Sequence, residues 1–254
     1  MRVVITGAAS GIGRAVAELL GPAHQLLLSD RDGEGLAAVA AGIGHSAATC
    51  VADLIAPDCG DMIVAAAIAH MGGIDAVVSN AGIIAAGALN DLTPADFDRI
   101  FAINIRATWA LAKAAHPQLA KAKGAFVATA SMSASQPTPG LGFYSSSKAA
   151  LVMLIRQLAL EWGSDGIRCN TVSPGPTYTP MTKGGYDDPE RRAQRESTIP
   201  LGKLGQAEDV ANAIIFLIGP LAGHITGVDL MVDGGMSSNL MPATGGGTGQ
   251  RASR

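Results

Sequence analysis

Seven short runs, apolar through their centres, constrain this chain more than any other feature. They are Arg2–Thr6, Gln25–Ser29, Ala47–Ala52, Asp75–Ser79, Ala125–Ala130, Ile167–Val172 and Val228–Val232. None alternates polar with apolar residues, so strands of this kind need cover on both faces. Ala-, Leu- and Ile-rich helical stretches lie between them. Strand and helix in regular turn predict an α/β chain: a doubly wound, seven-stranded parallel sheet with helices on both faces. Hydrophobic residues make up 48% of the 254 and charged ones 15%, enough for a large core. No shift in composition marks a second domain, so one domain is expected over residues 1–242. Residues 243–254 are Gly-rich and polar and read as a loose tail.

A net charge of −3 offers no basic footprint for nucleic acid and no polybasic membrane surface. No apolar run reaches the length of about 18 residues that a membrane span needs. Met1 to Gly7 passes straight into a glycine motif with no secretory leader, so a cytoplasmic protein is expected. Cys50, Cys59 and Cys169 are scattered, without C-x-x-C spacing, and read as buried free thiols. His24, His45, His70, His116 and His224 stand apart from one another, so no metal site is expected.

The first turn reads Thr6-Gly7-Ala8-Ala9-Ser10-Gly11-Ile12-Gly13, after a strand and opening a helix. Glycines there let the backbone approach a pyrophosphate, which the free N–H groups and dipole of the helix N-terminus would hold. A chance glycine-rich turn is the bland alternative, and the strand–turn–helix context argues against it. Asp30 closes the second strand, 19 residues after Gly11, where a carboxylate would bond the adenosine ribose of NAD and repel the 2′-phosphate of NADP. Ser10 stands where a basic residue would grip that phosphate, so both positions point to NAD. Arg31 is the counterweight, since its guanidinium could turn toward a phosphate. Asp53, with Leu54 after it, ends the third strand and could bond the adenine amine or cap the next helix. Asn80-Ala81-Gly82 ends the fourth, with side chains small enough for a flat ligand to lie on the backbone. Asn104 interrupts the apolar helical run Phe101–Lys113; it faces either solvent or a specific inward partner.

Tyr144 and Lys148 stand four apart, on one face of a helix if the segment is helical. A nearby ammonium favours the phenolate and lowers the phenol pKa, making tyrosine usable as an acid or base. An aromatic–lysine pair on an ordinary amphipathic helix is the competing interpretation.

Together these pieces resemble the short-chain dehydrogenase/reductase family, over nearly the whole chain from Thr6 to Gly235. The resemblance rests on T-G-x-x-x-G-I-G, Asn80-Ala81-Gly82, Asn104, Ser131, Tyr144 with Lys148, Asn170, Pro174-Gly175, Thr226-Gly227 and Val232-Asp233-Gly234-Gly235. Ser79 departs from the family's usual N-N-A-G. The resemblance implies a Rossmann-type fold and a catalytic set of Asn104, Ser131, Tyr144 and Lys148. Tyr144 would exchange a proton at the substrate oxygen and Ser131 would hold that oxygen. Lys148 would bind the nicotinamide ribose and acidify the phenol, and Asn104 would keep a relay water. Pro174, Gly175, Thr177 and Thr179 would wrap the nicotinamide, and Tyr178 to about Leu201 would form the substrate-covering loop. Gly184-Gly185 would be its hinge, with a short helix after Pro189.

For the substrate, Ser133, Gln136, Leu141, Tyr178, Met181 and Tyr186, with Ile83, are the expected lining beside Ser131 and Tyr144. Arg191, Arg192 and Arg195 are interleaved with Asp187, Asp188, Glu190 and Glu196, which reads as a solvated helix face. The expectation is therefore an NAD-dependent oxidoreductase for a mostly uncharged secondary alcohol or ketone, cyclic or hydroxysteroid-like. Its rivals are an NADPH-dependent carbonyl or 3-ketoacyl reductase of the same fold and a non-catalytic NAD-binding scaffold. A P-loop enzyme is excluded because no G-x-x-x-x-G-K-[ST] exists. The resemblance implies a homodimer or homotetramer, with Leu151–Trp162 apolar enough to serve as an interface.

Overall fold

The structure is a computed structural model that describes residues 1–239; the expected tail, residues 243–254, lies outside the described residues. In chain order the elements are β1 (Arg2–Thr6), α1 (Gly11–Leu20), β2 (Gln25–Asp30), α2 (Gly33–Ile43), β3 (Ala47–Val51), α3 (Cys59–Met71) and β4 (Ala76–Ser79). Then come α4 (Pro94–Phe101), α5 (Ala107–Ala122), β5 (Ala125–Thr129), α6 (Tyr144–Trp162), β6 (Arg168–Pro174) and β7 (Thr177–Tyr178). The last are α7 (Lys183–Tyr186), α8 (Pro189–Ser197), β8 (Gly205–Gln206), α9 (Ala207–Ile218) and β9 (Asp229–Val232). Seven strands form one sheet in the order β3-β2-β1-β4-β5-β6-β9, every pair parallel.

The apolar character of the strands reflects cover on two sides. Val3 and Ile5 of β1, Leu26 and Leu28 of β2, and Val127 of β5 pack with α1, α2 and α9. Their neighbours Val4, Leu27 and Phe126 turn the other way, onto α3, α5 and α6. Both sets are buried, so a polar residue on either face needs a hydrogen-bond partner.

All seven sequence-predicted strands exist, with ends shifted by one or two residues. The largest shift is β6, which runs two residues further because Pro174 still pairs with Val232 on β9. The short pair β7–β8 was not anticipated, since two-residue strands leave no periodic signal. A second difference lies in the helical run from Phe101. Residues Ala102–Arg106 form a π turn, in which the Ala107 N–H bonds back to the Ala102 carbonyl.

Chain order reverses between β1, which leads outward through β2 and β3, and β4, where winding starts in the other direction. The crevice beyond the carboxyl ends of these strands is where such sheets take ligands. On the far side of the sheet, Asn170 of β6 is fully buried and clamps the approach to β9. Its Nδ2 donates to the Ile225 carbonyl at 2.9 Å and its Oδ1 accepts from the Val228 N–H at 3.1 Å.

Asn170→Ala would leave both backbone groups unpaired, so chemical denaturation should find the variant less stable by about 2–4 kcal/mol. A loss under about 0.5 kcal/mol would mean that water replaces the clamp.

Candidate active site

The glycine turn is shaped by close approaches that forbid side chains. Gly7 sits at φ +67° and Gly11 at φ +55°. A Cβ on Gly13 would stand 2.2 Å from the Gly7 carbonyl oxygen, so α1 can start this close to β1 only with glycine there. Ser10 caps α1 without a side-chain hydrogen bond to the first turn, and its hydroxyl stays exposed. Across from the turn, a Cβ on Gly11 would meet Thr179 and Pro180 at 3.7 Å, so the loop after β6 forms the opposite wall.

Three strand ends are stitched together beside this turn. Thr6 Oγ1 accepts from the N–H groups of Asn80 (3.1 Å) and Ala81 (3.2 Å). Asn80 Nδ2 donates to the carbonyls of Thr6 (3.3 Å) and Gly7 (3.4 Å), and its Oδ1 accepts from Thr129 Oγ1 at 3.0 Å. Asn80 is therefore a brace between β1, β4 and β5. In the sequence Thr6 reads only as the first residue of the glycine turn, with no role of its own, and Thr129 is missed as one more β-branched strand residue. Ser79, the departure from the family pattern, bonds Thr108 Oγ1 at 3.0 Å in the core.

A cavity of about 1220 Å³ opens over these strand ends, larger than the roughly 300–1,000 Å³ of a single-ligand pocket. Gly7, Ser10, Gly11, Ile12, Asp30, Arg31, Asp53 and Leu54 border it on one side. Asn80, Ala81 and Gly82 form its floor, with Ser131, Tyr144 and Lys148, and Pro174, Gly175, Thr177 and Thr179 close it. Gly13 and Asn104 lie behind the wall. The Asp30 carboxylate accepts from the Ala9 N–H at 3.2 Å and the Asp32 N–H at 3.2 Å, which fixes it against the turn. Asp53 Oδ1 accepts from the Ile55 N–H at 3.0 Å, while the N-cap of α3 is Asp58, so Asp53 caps a turn rather than that helix. A backbone-lined turn with unspent N–H groups, followed by a fixed carboxylate, fits a dinucleotide.

At the other end, α6 places Tyr144 and Lys148 on one face, and Lys148 Nζ lies 5.8 Å from the Tyr144 ring centre. Lys148 is buried and donates to the Thr129 carbonyl at 2.8 Å, with no carboxylate beside it. Burial alone pulls its pKa down to about 8. The tyrosine departs from expectation. Burial pushes its phenol up from the ordinary value, and a hydrogen bond with Ser131 pulls only partly the other way. In the unliganded chain desolvation is the larger influence on the phenol, and Lys148 is not among the causes that set its direction.

Asn104 resolves inward, and the π turn is what aims it. It is 1% exposed; Nδ2 donates to the Ile83 carbonyl (3.1 Å) and Ser147 Oγ (3.0 Å), and Oδ1 accepts from the Ile83 N–H (2.9 Å). Both amide hydrogens are spent on protein, so the side chain latches the loop after β4 onto α6. For the expected relay water only a lone pair on Oδ1 is left. Ser147, which carries no signal in the sequence, completes the latch by donating to the Tyr144 carbonyl at 2.8 Å.

Of the expected substrate lining, Ile83, Ser133, Gln136, Leu141, Met181 and Tyr186 border the cavity. Ser133 is buried and bonds Thr138 Oγ1 at 2.9 Å. Tyr178 is a correction: it does not reach the cavity. Its hydroxyl donates to Asp187 Oδ1 at 2.9 Å and its ring lies under the Arg192 guanidinium at 6.0 Å. Thr182, equally silent in the sequence, knots the loop by donating to the Thr177 carbonyl at 2.6 Å and accepting from the Thr179 N–H at 3.0 Å. Gly184 and Gly185 fall inside α7, and α8 follows Pro189 behind an Asp188 cap. Among the described residues no helix is long and apolar enough to cross a membrane.

Residues 7–237 match a family profile described as enoyl-(acyl carrier protein) reductase. The chain is 35% identical over 247 residues to L-rhamnose 1-dehydrogenase (NAD(P)(+)) of a Sphingomonas species, covering 94% of this chain and 96% of that one. It is 35% identical over 242 residues to 3beta-hydroxysteroid dehydrogenase 1 of Eggerthella lenta, covering 92% and 93%. Among solved structures, the short-chain dehydrogenase/reductase SDR:glucose/ribitol dehydrogenase from Brucella melitensis superposes with a TM-score of 0.87 and 37% identity, covering 92% and 95%. The chain belongs to the short-chain dehydrogenase/reductase family and is an NAD(P)-dependent alcohol dehydrogenase or ketone reductase.

Proposed function

We propose that this chain interconverts a secondary alcohol and its ketone with NAD, and that Tyr144 exchanges the proton at the substrate oxygen. The observation that carries this reading is the Ser131–Tyr144 hydroxyl pair on the cavity wall, with a buried ammonium behind it. Bound there, NADH would supply the hydride that reduces a ketone and NAD would accept the hydride released by an alcohol. Ser131 Oγ accepts from the Ser133 N–H at 3.1 Å, and its own hydrogen, directed at the Tyr144 phenol oxygen in the unliganded chain, would turn to the substrate oxygen when substrate is bound. Tyr144, its phenol raised, holds its proton at neutral pH and donates it as that oxygen gains charge. In the oxidative direction the same phenol must lose its proton first, which rising pH favours. Lys148 spends one of three hydrogens on Thr129, leaving two for a ribose hydroxyl.

The fixed Asp30 carboxylate and the uncharged Ser10 support NAD over NADP. Arg31, exposed on the same cavity wall, is the one feature that favours NADP and a carbonyl- or ketoacyl-reductase role. Ile83, Leu141, Met181 and Tyr186 around the carbinol position support an apolar frame, and the hydroxysteroid relative makes a cyclic one reasonable. We also read one face of α6 as a subunit interface, since Met153 is 60% and Leu160 86% exposed seven residues apart. The assembly is then a homodimer or homotetramer, and a light-scattering mass of one chain at micromolar concentration would remove it.

Tyr144→Phe should abolish turnover of a secondary-alcohol panel, followed at the nicotinamide absorbance, while NADH affinity stays within about twofold. In the same assay the native chain should have a higher kcat/KM with NAD than with NADP. Full activity in the variant would end the mechanism, and an NADP preference would mean Arg31 outweighs Asp30.

Lys148 carries a stability cost. An ammonium with pKa about 8 when folded and 10.5 when free is bound more weakly in the folded chain. The unfolded chain therefore holds more protons between those values, and native stability should rise as pH climbs through that window. Lys148→Met should be inactive yet about 1–2 kcal/mol more stable at pH 7, with the gap closing toward pH 10. A variant less stable than the native chain at pH 7 would mean that the Thr129 hydrogen bond outweighs desolvation.

A further inference from the structure

The arginines of α8 lie on a solvated helix face, as their interleaving with acids suggests, but the acids do not pair with all of them. Glu196 Oε1 is taken by Arg192 Nε at 2.9 Å and by the Leu204 N–H at 3.4 Å. Asp187 holds the Tyr178 hydroxyl, and Asp188 Oδ1 caps the helix by accepting from the N–H groups of Glu190 (2.9 Å) and Arg191 (3.1 Å). Glu190 borders neither the main cavity nor the smaller one beside it. Arg191 and Arg195 are left, one turn apart on the same face of the helix, where like charges repel. Among the described residues neither guanidinium has a carboxylate within salt-bridge reach.

These two side chains, with Gln194 and Thr198, border that second cavity, of about 410 Å³. Its remaining walls are Gly185 and Tyr186, and with Arg195 these also border the main cavity, so the two spaces adjoin. The Arg195 charge opposes the burial-driven rise of the Tyr186 phenol, which places the guanidinium close to that ring. The acids of the main cavity, Asp30, Asp32 and Asp53, stand at or just after the ends of β2 and β3. None of these three carboxylates borders the second cavity. The wall shared by the two cavities therefore carries guanidinium charge that, among the described residues, has no carboxylate within salt-bridge reach.

We propose that Arg191 and Arg195, supported by Gln194, form an anion subsite that takes a terminal oxyanion group of the substrate. The inference rests on the oxidoreductase reading above and replaces a wholly uncharged substrate with an apolar carbinol frame ending in one negative group. Paired guanidinium groups suit such a group because each presents a planar fork of N–H donors.

The test follows NADH oxidation with methyl ketones of increasing chain length ending in a sulfonate, against the same ketones ending in a neutral methyl sulfone. Carboxylate and phosphate series at the best length then identify the oxyanion. At one length kcat/KM should favour the sulfonate by about tenfold or more, carried by KM, the size expected of two half-exposed ion pairs. The Arg191→Gln/Arg195→Gln double variant should lose that preference. Equal or better turnover of the sulfones, or a preference that survives the double variant, overturns the subsite. If neither series is turned over, calorimetry of the sulfonates on the NADH-loaded protein decides separately. Affinity kept in Tyr144→Phe but lost in the double variant would support the subsite while the reaction reading fails; affinity unchanged in the double variant would overturn it.

Discussion

A parallel sheet covered on both faces permits chemistry only at its strand ends, and the rest of this molecule is built around that restriction. Along the central strands Val3, Val4, Leu26, Leu27 and Phe126 are buried against helices on one face or the other, so a polar group there must bring its own partner. Polar residues collect where the strands stop, and there they must still find partners because the surroundings remain buried. Thr6, Asn80 and Thr129 satisfy one another across three strands. The floor of the cleft is thus rigid before any ligand arrives, and its shape is set by the pairing that lets the sheet end.

The same burial governs the proton chemistry. Tyr144 and Lys148 sit close enough to interact, yet desolvation raises the phenol and weakens the ammonium's hold on its proton. Each group is pushed toward its neutral form, as a low-dielectric site requires. A phenol that keeps its proton would, on the function proposed above, be prepared to donate it to a substrate oxygen. The helical spacing of Tyr144 and Lys148 was legible in the sequence; the sign of the phenol's shift was not, because spacing reports proximity and says nothing about how much water remains.

The same division runs through the whole chain. Strand positions, the glycine turn and the short helix after Pro189 were readable because each has a local cause: apolar runs, forbidden Cβ atoms, a proline at a helix start. What could not be read depends on partners distant in sequence. Asn104 lies in a run with ordinary helical patterning, and only the widened turn at 102–106 aims it at Ile83 and Ser147. Tyr178 had the right neighbourhood for the pocket and turned outward because Asp187 and Arg192 hold it there. Thr182 makes its bonds to a loop backbone that has no pattern to recognise.

The arginines of the covering loop bring these threads together. Charge counted along a helix treats every acid as available to every base, but acids committed to a cap, a phenol or one particular arginine are available to no others. The loop can leave Arg191 and Arg195 unpaired because α7 and α8 bury no residue of their own and lean on Ile199 and Leu204 for attachment. A segment with so little packing contributes little to folding, so unpaired charge there costs the fold little. The strand ends fix the floor of the cleft through residues they cannot move, and on the proposals above recognition of the rest of the substrate would fall to a loop whose composition the core does not dictate.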